Sequence, residues 1–180
     1  MKNTILKFGV LYGLSLLVGF IASYLVLGDS PDNYSRSEVV GYTIMLLSSV
    51  AVIYGIKDYK ENYNGGTLTF GKGIVIGSAI SAIAGLFFGL YMMFYLIWLN
   101  PTFTETYMDY SEQKIRQSGA SEEVIQAQLQ ELQAYSDFMN NDFLQSSVMF
   151  ATVFMIGLLV TIISSAAMRT TQHSQNMEQN

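Results

Sequence analysis

The sequence predicts an all-α fold, a polytopic membrane four-helix bundle with an extracytoplasmic helical hairpin between spans 3 and 4. Three observations predict it: four long runs without a formal charge, one long polar stretch with helical periodicity, and a 180-residue composition that is 51% hydrophobic and only 13% charged. A soluble domain carries about 25% charged residues. A mean hydropathy of +0.31 with 2 Pro also excludes a disordered chain, because so apolar a chain buries more surface than disorder permits.

A helix rises ~1.5 Å per residue and needs about 20 apolar residues to cross a hydrocarbon core of about 30 Å. The uncharged runs 8–27, 39–56, 73–99 and 143–168 meet that length, the second being the shortest at 18 residues. They place spans at about 5–27, 39–56, 73–99 and 143–168 within one membrane domain of residues 1–180. Lys2 and Lys7 precede the first run as they would in a secretory signal, but the apolar stretch continues through Tyr24, Leu25, Val26 and Leu27. A signal core runs only about 7 to 15 residues, so a retained anchor is expected.

Orientation follows from Lys and Arg, which collect on the cytoplasmic side. With both termini inside, the inner segments hold Lys2, Lys7, Lys57, Lys60, Lys72 and Arg169, six of the nine basic residues. Arg36, Lys114 and Arg116 fall outside, together with eleven of the fourteen acids. The expected location is therefore a bacterial inner membrane, with a polar cytoplasmic tail over 169–180 that contains the lone His173.

The segment 28–38, with Gly28, Asp29, Ser30, Pro31, Asp32 and Asn33 in succession, reads as a turn. The segment 57–72 mixes Tyr59, Tyr63 and Phe70 with charges and the turn signal Asn64-Gly65-Gly66, and is expected at the lipid head groups. The long extramembrane stretch 100–142 reads as two helices. Thr102 and Glu105 have capping-box spacing, and Phe103, Tyr107 and Tyr110 recur at helical intervals up to a stop at Gly119. A second helix starts at Ser121 with the apolar face Ile125, Leu129, Leu132, Tyr135 and Met139. With no Gly or Pro before Phe143, it is expected to run straight into the fourth span. Its stripe packs on the first helix of the hairpin, on another protein as a partner face through Ile125, Leu129, Leu132 and Tyr135, or on lipid.

In the third span, small residues recur every fourth position at Gly73, Gly77, Ser81, Gly85 and Gly89, and Gly9 and Gly13 repeat the pattern in the first. Such a helix-packing stripe lets another helix approach closely where no hydrophobic attraction acts between helices. The neighbour is a helix of the same bundle, a second copy in a homo-oligomer, or another membrane protein. Tyr91, Tyr95 and Trp98 close the same span as an interfacial aromatic belt.

Chemistry is sparse. With 0 Cys and 1 His there is no disulfide scaffold, thiolate metal site or cysteine nucleophile. Gly66 to Gly73 imitates a phosphate loop but lacks the hydroxyl after Lys72. Asp137, Asn140, Asn141 and Asp142 match no calcium loop. No charge lies inside any uncharged run, and Tyr12, Ser15, Thr43, Ser48, Ser49, Ser81, Thr152 and Thr161 are polar but neutral. Proton or ion coupling is thereby disfavoured. No catalytic residue, cofactor, metal or nucleic-acid partner is expected.

Ile56-Lys57-Asp58-Tyr59, followed by Asn64-Gly65-Gly66-Thr67-Leu68-Thr69-Phe70-Gly71-Lys72-Gly73, resembles the central motif of the bacterial membrane proteins grouped as domain of unknown function 4199. Gly73 departs from the Ala more usual there. The resemblance covers most of the chain and implies a four-helix inner-membrane protein with no established activity. The expected role is a non-enzymatic accessory or interaction subunit. The alternatives are a small oligomeric transporter or channel for a neutral substrate and an auxiliary protein of a lipid-linked sugar or envelope pathway.

Overall fold

A computed structural model describes residues 1–170, with the backbone alone for Asp137. His173 and the rest of the tail from 171 onward lie outside the described residues. The described elements are helices: α1 (Lys2–Leu27), α2 (Tyr34–Ser48), α3 (Val50–Asp58), α4 (Phe70–Phe94), α5 (Phe103–Arg116), α6 (Glu122–Met139) and α7 (Asp142–Met168). A 3-10 turn at Pro31–Asn33 leads into α2, and π-helical turns at Tyr59–Tyr63 and Tyr95–Leu99 extend α3 and α4.

Four helical segments are long and apolar enough to cross a membrane: Lys2–Leu27, Pro31–Tyr63, Phe70–Leu99 and Asp142–Met168. Each contains one of the four uncharged runs, and the second is a far longer helix than the 18-residue run inside it. Its 33 residues begin inside the stretch read as a turn, because Pro31 starts a 3-10 turn that α2 continues without a break. Proline suits a first helical position, where its missing N–H has no partner to lose. The regular helix is interrupted at Ser49, whose hydroxyl donates to the Leu46 carbonyl at 2.6 Å. A hydroxyl that bonds back to its own helix in this way competes with the regular ladder.

At the centre lies α4, packed along α7, α1 and α3, while α3 also touches α1 and α7. The core they share is built from Leu16 of α1, Val52 and Ile56 of α3, Ile76, Ile80 and Phe88 of α4, and Val153 of α7. Large apolar side chains cover the outer faces too, with Val26 81%, Leu47 69% and Ile163 68% exposed. Helices that are apolar all round suit a lipid surround.

The hairpin is formed by α5 and α6, joined through Gly119 in the left-handed conformation at φ 73°. Two expectations fail here. First, α6 does not continue into α7. Asn141, with extended backbone at φ −108° and ψ 99°, caps α7 by accepting from the Leu144 amide at 3.0 Å. A side-chain cap ends one helix and starts the next without Gly or Pro. Second, Thr102 makes no capping box, because its backbone at φ −95° and ψ 4° is not the extended form a capping residue needs. Its hydroxyl donates to Asn100 Oδ1 at 3.2 Å instead.

Candidate functional site

The small-residue stripe of α4 lies against α7. A Cβ added to Gly73 would stand 2.7 Å from Cβ of Ser165, one on Gly85 2.9 Å from the Phe150 carbonyl oxygen, and one on Gly89 3.2 Å from that of Ser146. Gly77 faces Thr161 in the same manner. The relation reverses at Ser81, whose Cβ would be 2.6 Å from a Cβ on Gly157 of α7. Antiparallel helices thus exchange small residues, and every position of the stripe is occupied by the same chain. Gly9 and Gly13 of α1 admit Ile83 and Phe87 of α4.

Tyr12, Ser81 and Thr161 come together inside this packing, each 0% exposed. Ser81 donates to the Gly77 carbonyl at 2.8 Å and Thr161 to that of Gly157 at 2.7 Å. Thr43 does not join them. It is exposed on the outside of α2, bonded to the Val39 carbonyl at 2.8 Å. Ser15 and Thr152 likewise bond to their own helices.

At one end of the spans, the segment 57–72 forms a clasp. Asn64 is its hub: Nδ2 donates to the Thr67 carbonyl at 2.6 Å, while Oδ1 accepts from Lys72 Nζ at 3.2 Å and from the Tyr59 hydroxyl at 3.4 Å. Gly65 and Gly66 follow at φ 59° and 76°, a left-handed pair that side chains rarely adopt. Leu68, 1% exposed, plugs the core and is tied to Thr170 beyond α7 by two hydrogen bonds of 2.8 and 3.0 Å. Lys60 Nζ donates to the Met168 carbonyl at 3.0 Å, filling the open C-terminus of α7. Asp58 accepts from Thr4 of α1 at 3.2 Å and from Asn62 at 3.1 Å. The phosphate-loop imitation is therefore a structural tie between span ends, with the Lys72 ammonium on an amide oxygen.

The opposite end is held by Asp29. Its two carboxylate oxygens accept from the Tyr95 hydroxyl at 2.6 Å and from Asn100 Nδ2 at 2.9 Å, across the π-helical turn Tyr95–Leu99. From there aromatic rings run outward. Tyr95 meets Phe103 at 5.5 Å, and Tyr34 is ringed by Phe103 at 6.0 Å, Tyr107 at 5.7 Å and Tyr110 at 5.2 Å. The expected belt of Tyr91, Tyr95 and Trp98 is thus divided. Tyr91 and Tyr95 belong to this interior stack, and Trp98 alone is turned outward at 67% exposure. Gln145, buried at the foot of α7, donates to Thr104 at 2.9 Å and to the Met139 carbonyl, joining α5, α6 and α7.

The aromatic face of α5 is therefore turned to Tyr34, while α5 and α6 also pack on one another. On α6, Ile125 and Met139 are buried, Leu129 and Leu132 half-buried, and Tyr135 48% exposed. Leu132 and Tyr135 share an open cleft with Ile115 of α5. In the Asp137, Asn140, Asn141 and Asp142 group, Asn141 is occupied as a helix cap, and the Asp137 side chain is not among the described ones. Among the described residues no three His, Cys, Asp or Glu converge on a metal site.

A family model described as Protein of unknown function (DUF4199) matches residues 7–170. The chain belongs to this family. The match takes in the clasp, the Asp29 tie and the whole hairpin of the DUF4199 chain. No curated protein and no solved structure matches it.

Proposed function

We propose that this DUF4199 protein is a non-enzymatic accessory or interaction subunit of a bacterial inner membrane, with both termini and the clasp cytoplasmic and the hairpin outside. The observation that carries this reading is the closed interior. Tyr12, Ser81 and Thr161 are completely buried in packed helices, and the fourth member of a polar path, Thr43, is turned to the outside. That arrangement favours an accessory role over transport of a neutral substrate. The orientation is supported by Lys2, Lys7, Lys57, Lys60, Lys72 and Arg169 at the clasp end, against Arg36, Lys114 and Arg116 at the other. The small-residue stripe is filled by α7, which leaves the hairpin, with the Tyr135 cleft, as the surface open to a partner.

Photo-crosslinking in the native membrane tests the reading. A photoreactive residue at Tyr135 should give a discrete protein adduct, and one at Leu159, a lipid-facing position 59% exposed on α7, should not. If Tyr135 yields nothing beyond Leu159, the reading fails.

A further inference from the structure

At the clasp end, every span contributes an exposed cation. Lys2 and Lys7 lie on α1, Lys57 on the last turn of α3, Lys72 on the first turn of α4, and Arg169 directly after α7. With Lys60 this makes six Lys and Arg, facing only Asp58 and Glu61 among the described residues at that end. Neither acid neutralises the group. Asp58 is engaged by Thr4 and Asn62, and Glu61 stands 3.9 Å from Lys57 with both side chains more than half exposed, a geometry that contributes little.

Large aromatic side chains are exposed beside these cations: Tyr54 at 58%, Tyr63 at 54% and Phe70 at 43%. In water such exposure is unfavourable, whereas aromatic rings among ammonium groups suit the boundary between acyl chains and head groups. Lys7 pairs the two kinds of group directly, its ammonium 4.8 Å from the Phe8 ring centre. The hairpin end has the opposite charge, with eight acids against Lys114 and Arg116 over 100–142.

We propose that the clasp end is a binding surface for anionic phospholipid head groups, so that the protein gathers acidic lipid around that end of its spans. The proposal rests on the membrane reading but not on the accessory role. Its phosphate-facing groups are Lys2, Lys7, Lys57 and Arg169, with Lys72 adding its charge from the Asn64 amide oxygen, while Lys60 is retained by α7.

The test uses the full chain reconstituted in phosphatidylcholine vesicles with a trace of spin-labelled lipid. At low salt, labelled phosphatidylglycerol should associate with the protein about threefold more strongly than labelled phosphatidylcholine, since each basic residue near a membrane attracts acidic lipid measurably. At roughly 1 M salt, where charges are screened within about 3 Å, the preference should fall to near unity. The combined Lys2→Gln, Lys7→Gln, Lys57→Gln and Lys72→Gln variant should lose it as well, and the Arg36→Gln, Lys114→Gln and Arg116→Gln variant should keep it. Equal association of the two lipids with the unaltered protein overturns the proposal, as does a preference that survives high salt, and neither measurement depends on a variant folding. Loss of Tyr135 crosslinking would leave this result untouched.

Discussion

A Cβ on Gly77 of α4 would lie 2.8 Å from the Cβ of Thr161 on α7, so the two helices meet there with no room for a side chain on the glycine. This contact is the second rung of a ladder that runs from Gly73 to Gly89, along which α4 packs on α7. Gly77→Leu drives a branched side chain into the buried Thr161 side chain, and overpacking of this kind costs about 1–3 kcal/mol. Thermal unfolding in detergent should shift down accordingly. Gly71→Ala, at a position with nothing within 4 Å, should leave it unchanged or slightly raised. Equal tolerance of both substitutions would mean that α4 and α7 do not pack as described.

Two aromatic residues from one stretch of sequence should separate in the same assay. The Tyr95 hydroxyl donates to Asp29, whereas Trp98 is turned outward. Tyr95→Phe leaves a half-buried carboxylate oxygen without its donor, and a hydrogen bond to a charged group is worth about 1.5 kcal/mol or more. Trp98→Phe keeps an apolar ring on the outside. Stability should fall with the first and hold with the second. An unaltered Tyr95→Phe protein would show that the Asp29 tie carries no weight.

What was legible in the sequence was set by physics that acts within one helix. Run length found all four spans because the bilayer fixes how many apolar residues a crossing helix needs. A period of four found the α4 stripe because residues four apart share a helix face. Pairings between distant segments were not legible in the same way. Phe103, Tyr107 and Tyr110 announced an aromatic face, but nothing local said that Tyr34, some seventy residues earlier, would sit among them. Asp29 looked like one turn residue among six, and its role exists only because α4 brings Tyr95 beside it. The break between α6 and α7 does have a local signal: Asn141 followed by Asp142 is a cap with an acid in the first turn, which starts a new helix without Gly or Pro.

A closed set of spans with the hairpin outside is tested by cysteine accessibility, and the chain's 0 native Cys gives that measurement a clean background. Single cysteines at Gln128 in α6, Asn62 in the clasp and Ser81 in the packed interior would be exposed to an impermeant thiol reagent, first in intact spheroplasts and then after the membrane is opened. Gln128 should label at once, Asn62 only after opening, and Ser81 in neither case, since its site is 0% exposed between α4 and α7. Labelling of Asn62 before Gln128 would reverse the orientation, and labelling of Ser81 in the intact membrane would contradict the closed interior and restore the case for transport.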